Sequence, residues 1–194
     1  MQQSDRKAEI ISAAVKLFAK QGYHGTQLEQ VARMLGLSKG AIYWYFPDGK
    51  KQVFLEACRF TVERIVEQMK QIMSIEEPFE RIRKGLQIFF RFCKGNRHFV
   101  ELIIHERGLI REEPQLKQLR DKHIGMLVET LEVARRKGHL RRGVEAFKAA
   151  LVFSCAVFGA LFSYLEGEID LEQIADPITD FILKGILKVK HKEI

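Results

Sequence analysis

The chain has 194 residues, 46% of them hydrophobic, with a net charge of +7 and a pI near 9.4. That length suits one domain, or a small one joined to a larger one, and the apolar content excludes wholesale disorder. The basic balance favours an anionic partner, nucleic acid or a membrane surface, without selecting one.

Nearly every segment has a helical period, and no convincing alternating strand appears. Ser4 is placed to cap a first helix, whose apolar stripe is Ile10, Ala13, Ala14, Leu17 and Phe18, and Gly22 is expected to stop it. Thr26 and Glu29 have the spacing of a capping box. The second helix then turns Leu28, Val31, Ala32 and Leu35 inward, and Gly36 ends it as a residue tolerant of positive φ. Ser38 caps a third, short helix to Phe46. Two short amphipathic helices joined by a tight glycine turn form a helix-turn-helix, here about residues 27–46.

Pro47, Asp48 and Gly49 form a turn. A long helix follows from Lys50 to about Ser74, with Val62, Ile65, Val66, Met69, Ile72 and Met73 on one face. Further helices are expected over about 79–94, 99–109, 116–137, 144–166 and 171–189. The predicted fold is all-α. A basic three-helix unit, residues 1–64, hands over to a larger helical body, residues 65–194. Residues 1–60 carry nine Lys or Arg against five Asp or Glu, whereas residues 61–194 carry 23 against 20, so the front of the chain is the more basic end.

The stretch "LGLSKGAIYWYF", residues 35–46, carries the chemistry. On a helical wheel Ile42 and Phe46 point the same way, and Trp44 lies about 160° from Ile42. The chain's single tryptophan is therefore aimed at solvent. A helix-turn-helix lays its second helix in the DNA major groove, with the start of that helix at the base edges. That start is Ser38, Lys39, Gly40 and Ala41. Lys39 can donate to guanine or to a phosphate, and Gly40 and Ala41 let the backbone approach the groove. Tyr43 and Tyr45 can offer hydroxyls to phosphates, which set register rather than sequence. Tyr45, only about 60° from Ile42 on the wheel, is equally a half-buried packing residue. Trp44 can pack on sugars or on a thymine methyl.

Residues 6–58 resemble the DNA-binding domain of the TetR family of bacterial transcriptional repressors. The resemblance rests on Ile10, Ala13, Ala14, Leu17, Phe18, Gly22, Tyr23, Thr26, Val31, Ala32, the string over 35–46, and Lys50. It implies that Thr26 and its neighbour Gln27 hold a phosphate, although Gln27 stands where a second Thr or Ser is common. It implies a phosphate contact for Tyr43. Tyr45 stands where a histidine is frequent. Lys50 corresponds to a phosphate-contacting lysine, with Lys51 as the alternative because the preceding loop looks one residue longer than the commonest form. The resemblance also implies a homodimer built from the last two helices and an effector pocket inside the body; the two-fold symmetry of such a dimer calls for an inverted-repeat operator of double-stranded DNA.

The body is rich in phenylalanine. Phe89, Phe92, Phe99, Phe153 and Phe158 are the candidates for an effector pocket, which would take a mostly apolar small molecule. Val152, Ala156, Gly159 and Ser163 form a stripe of mostly small side chains suited to close helix packing at a dimer interface. His98, Glu101 and His105 share a helical face at metal-ligand spacing, but the face is expected to be solvated, and neither metal nor cofactor is expected.

No Glu-x-x-His pair, P-loop, G-x-S-x-G or H-E-x-x-H occurs, so a catalytic function is not expected. The three cysteines, Cys58, Cys93 and Cys155, are far apart and form neither a disulfide framework nor paired zinc ligands. The N-terminus lacks the apolar stretch of a signal peptide. The longest uncharged run, Ala149 to Leu165, is 17 residues and contains Ser154, Ser163 and Tyr164; a buried helix suits it better than a membrane span. The expected location is the cytoplasm.

Overall fold

Helices dominate because the apolar residues recur at three and four positions throughout, and glycines or prolines interrupt the pattern where it ends. The computed structural model describes residues 2–72 and 74–187. Among these are ten α-helices: α1 (Gln2–Gly25), α2 (Leu28–Met34), α3 (Lys39–Tyr45), α4 (Lys50–Met69), α5 (Pro78–Gly95), α6 (Arg97–His105), α7 (Arg107–Glu112), α8 (Pro114–Arg136), α9 (Ala146–Leu165) and α10 (Leu171–Ile186). A single 3₁₀ turn, Lys70–Ile72, follows α4, so that helix is shorter than its periodicity suggests. The expected helix over 99–109 is two helices, α6 and α7, which meet at Glu106. The Ser4 side chain, Met73 and Val189 lie outside the described residues.

The chain forms two compact units. The first comprises residues up to Val66 together with Asn96–Leu119. The second comprises Glu67–Gly95 and the chain from Arg120 onward. The N-terminal stretch of the first unit thus ends within α4, and α6 and α7 belong to that unit. The reason is visible in the packing: Leu102 on α6 and Leu116 on α8 belong to the same core as Ile10, Ala14, Phe18, Val31, Ile42, Phe46, Val53 and Phe54. Phe18, Tyr23 and Phe54 meet ring to ring, with Phe18 and Phe54 edge-on at 5.3 Å between centroids. Such aromatic contacts add to the burial of apolar area.

In the second unit α5 packs along α10. Ile82, Leu86, Phe90 and Cys93 on α5 and Leu171, Ala175, Ile182 and Leu183 on α10 are buried. A polar rim runs beside them. Arg83 reaches Asp176 at 3.1 Å and Asp180 at 2.5 Å, and Lys94 reaches Asp170 at 2.7 Å and Glu172 at 2.9 Å. Among the described residues the one β-bridge pairs Leu140 with Leu187.

Candidate nucleic-acid interface

The α2–α3 turn is built from local backbone chemistry. The N–H of Leu37 donates to the Ala32 carbonyl at 2.9 Å, and the N–H of Gly36 donates to Arg33 at 3.3 Å. Gly36 has a φ of 65°, the left-handed geometry that this pair of bonds requires. Ser38 Oγ then accepts from the Ala41 N–H at 3.1 Å and starts α3 as its cap. Ile42 and Phe46 are fully buried and pin the helix to the core. The opposite face is open, with Trp44 65% exposed and Tyr43 40% exposed. Trp44 stands edge-on to Tyr45, with 4.7 Å between ring centroids. Tyr45 is half-buried and packs against the core.

Gly40 is exposed, and a Cβ built there would approach only Ser38 Oγ, at 3.9 Å. Nothing inside the protein demands glycine at this position. The missing side chain leaves room on the outer face, where a groove floor would approach.

Two expectations at the start of α2 need correction. Thr26 is not the cap. It is fully buried, and its hydroxyl donates to the Gly22 carbonyl at 2.8 Å. The cap is Gln27, whose N–H donates to the Gln30 side chain at 2.8 Å. Glu29, expected to close the box, instead pairs with Lys39 at 2.5 Å. Thr26 is buried with its hydroxyl donating to the Gly22 carbonyl, whereas its neighbour Gln27 is exposed.

The basic side chains are held by neighbours. The hydrogen-bonded carboxylate of Glu29 raises the Lys39 ammonium above its ordinary range, and Lys39 correspondingly lowers the Glu29 carboxyl. Lys50 donates to the Thr26 carbonyl at 3.1 Å and lies over the Tyr23 ring at 4.7 Å, which fixes the loop before α2. Lys51 pairs with Glu113 at 2.7 Å while remaining largely exposed.

A family model described as "Bacterial regulatory proteins, tetR family" matches residues 10–57, the stretch that builds this surface. Over residues 10–57 the chain is similar to the DNA-binding segment of the TetR family. The chain is 28% identical over 193 residues to the HTH-type transcriptional regulator YerO of Bacillus subtilis (strain 168), covering 94% of this chain and 64% of that protein. It is 37% identical over 92 residues to the HTH-type transcriptional regulator LmrA of the same organism, covering 47% of each. The chain thus spans less than two thirds of either relative. A crystal structure of the TetR family transcriptional regulator PfmR from Thermus thermophilus superposes with a TM-score of 0.77 at 25% identity, over 90% of this chain and 97% of that one. The TetR family is one of transcriptional regulators, not enzymes.

The remaining expected sites divide between the two units. Phe99 is buried on α6 in the N-terminal unit, so it leaves the group of body phenylalanines. The correction follows from α6 packing on α1. Phe92 and Phe153 are buried in the second unit, and Phe89 and Phe158 are half-buried there. On α9, Val152 and Gly159 are exposed, and Ala156 and Ser163 are half-buried. Sequence reasoning missed the larger partners on that helix: Phe147, Leu151 and Phe162 are exposed as well, and Phe181 on α10 is 83% exposed. The spacing 147, 151, 155, 158, 162 was the available signal, since it repeats every three to four residues. The helix Ala146–Leu165 is long and apolar enough to cross a membrane by length and composition. Among the described residues no three His, Cys, Asp or Glu side chains group as a metal site; Glu101 is engaged by Arg97 at 3.1 Å and His98 at 3.0 Å.

Proposed function

We propose that this TetR-family regulator binds an inverted-repeat DNA operator as a homodimer, acts as a repressor in the cytoplasm, and is released by a mostly apolar small molecule. The observation that carries the DNA reading is the α3 face, where Trp44 and Tyr43 are exposed beside a glycine that the protein itself does not need. Lys39, Gly40, Ala41 and Trp44 take the base edges and sugars, and Gln27, Ser38, Tyr43 and Lys50 take phosphates. Lys50 has two of its three donors on the carbonyls of Thr26 and His24, which leaves one for a phosphate.

The dimer reading is supported by α9 and α10. Phe147, Leu151, Val152, Phe162 and Phe181 leave a large apolar surface open to water. Such a patch marks an interaction site rather than a finished surface. A second copy would cover it, with Gly159 permitting close approach of two helices. A two-fold dimer presents two recognition helices and hence selects a palindrome. The effector reading places the ligand among Phe89, Phe92, Phe153 and Phe158. A ligand releases DNA only by binding the DNA-incompetent arrangement better, and the required coupling is about 1–3 kcal/mol.

Selection of bound DNA from a random pool with the purified protein tests the reading. The expected product is an inverted repeat with two chains bound per site. Enrichment of a lone asymmetric half-site, bound by one chain, would overturn it. The composition of α9 also allows a membrane reading, and recovery of the protein in the detergent-free soluble fraction is the outcome that excludes it.

A further inference from the structure

The N-terminal unit contains an open cleft of about 590 Å³, formed by α1, the end of α2 and α6. Its lining includes none of the residues assigned to DNA. One wall carries Lys16 and Lys20, four apart on α1 and both exposed; the other carries His98 and His105 on α6. Leu17, Ala19 and Met34 supply the apolar part, and Met34 is 52% exposed, a large apolar side chain without cover.

The charges do not balance internally. Glu101 is the one acidic residue lining the cleft, and it is already engaged by Arg97 and His98. Among the described residues Lys16 and Lys20 have no ion-pair or hydrogen-bond partner, in contrast to Lys7, Lys39, Lys51 and Lys94. Two unneutralised ammonium groups above an apolar floor are complementary to a molecule with one anionic end and one aliphatic end. A cleft of this volume falls within the range of small-molecule sites. A metal ion does not fit, because among the described residues no three His, Cys, Asp or Glu side chains group here.

We infer that the α1–α6 cleft binds a small aliphatic carboxylate, with the carboxylate between Lys16 and Lys20 and the chain against Leu17 and Met34. This site is separate from the effector pocket assigned to the second unit and does not rest on it.

Methionine-methyl NMR provides a local readout. The protein is labelled with ¹³C-methyl methionine, the Met34 signal is identified through Met34→Leu, and octanoate is titrated. The Met34 signal should move saturably. Octanol and octyltrimethylammonium, which share the chain but lack the anion, should leave it in place. Lys16→Ala combined with Lys20→Ala should weaken octanoate at this site by roughly tenfold or more, while circular dichroism confirms an unchanged helix content. An unmoved Met34 signal would overturn the inference. So would an equal response to all three probes, or equal octanoate affinity in the double variant. Loss of operator binding in the double variant with no octanoate response would also overturn it and reassign the lysines to DNA phosphate.

Discussion

Glu106 Oε1 accepts the backbone N–H of Tyr23 at 2.6 Å, across 83 residues of sequence. The N–H needs a partner because Gly22, at φ 73° and ψ 168°, interrupts the hydrogen-bond ladder of α1. The carboxylate at the α6–α7 junction fills the gap and ties that junction to the loop before the helix-turn-helix. Hydrogen bonds to a charged group contribute about 1.5–3 kcal/mol, and an unsatisfied buried donor is penalised further. Glu106→Ala should therefore lower stability by about 1–3 kcal/mol in urea unfolding, whereas Glu106→Gln, which keeps an acceptor, should lose less. Equal losses in the two variants would show that the contact is not the source.

Sequence reasoning reached the helix-turn-helix because its elements are specified locally, but not the joining of α6 and α7 to the N-terminal unit, which rests on remote packing. Ser38, Gly36 and the Ile42 and Phe46 pair act within a few residues of themselves, so their roles follow from spacing. Glu106 was illegible for the opposite reason. Its partner is remote, and nothing in the neighbourhood of Glu106 signals that a backbone N–H at Tyr23 will lack a mate. Thr26 was misjudged because a threonine three residues before a glutamate satisfies the capping-box pattern, yet Gln27 and Gln30 satisfy it one residue later. The chain resolved the competition by burying Thr26. On α9 the small residues drew attention to one stripe, while the phenylalanines beside it passed as core because aromatic residues usually are.

Gly40→Ala separates a folding role from a recognition role. Glycine inside a helix is less stable than alanine by roughly 0.5–1 kcal/mol, and a Cβ at this position meets only Ser38 Oγ at 3.9 Å. The variant should unfold at equal or higher denaturant concentration than the parent. Its operator affinity should fall, because the added methyl stands on the face that approaches the groove. A variant as tight on DNA as the parent would mean that α3 meets the groove at another position.

If Lys39 contacts DNA as proposed, Glu29 should compete with the DNA for it. The two side chains are paired at 2.5 Å and both are exposed, so the pair is open to exchange with an external anion. Glu29→Gln should release the ammonium and tighten operator binding a few-fold, with a steeper salt dependence because one more cation is available for counterion exchange. Lys39→Ala should reduce base discrimination by roughly tenfold or more if the contact is to guanine. Binding isotherms at three salt concentrations distinguish these outcomes. No change in either variant would remove Lys39 from the interface.

The α5–α10 rim makes stability sensitive to acid. Lys94 holds Asp170 and Glu172 below their ordinary carboxylate range, and Arg83 does the same to Asp180. A depressed folded-state pKa contributes stability that is complete above the unfolded values, here 3.8 for Asp and 4.5 for Glu, and is lost as pH falls through the folded values. The melting temperature should be flat from neutral pH to about pH 5 and should drop below it. Lys94→Met should flatten part of that acid limb, because its two carboxylates then return toward ordinary values. An acid limb of unchanged steepness would place the titrating groups elsewhere.

Cys155 offers a direct test of the α9 face. Cys58 and Cys93 are buried, and desolvation pushes both thiols up to about 12. At pH 7.5 their thiolate fraction is on the order of one in ten thousand or less, so they should resist alkylation until the protein unfolds. Cys155 is exposed within one chain and lies on the same helix as Leu151, Val152 and Phe162. If a second copy covers that face, iodoacetamide should label Cys155 rapidly in dilute protein and progressively more slowly as concentration rises through the dimer dissociation constant. Peptide mapping would assign the adduct to residue 155 alone. Val152→Lys should abolish the protection by placing a charge in the interface, while leaving α9 helical. A labelling rate independent of concentration, measured over a range in which sedimentation shows monomer passing to dimer, would place the dimer contact on another surface and leave the apolar face of α9 for a different partner.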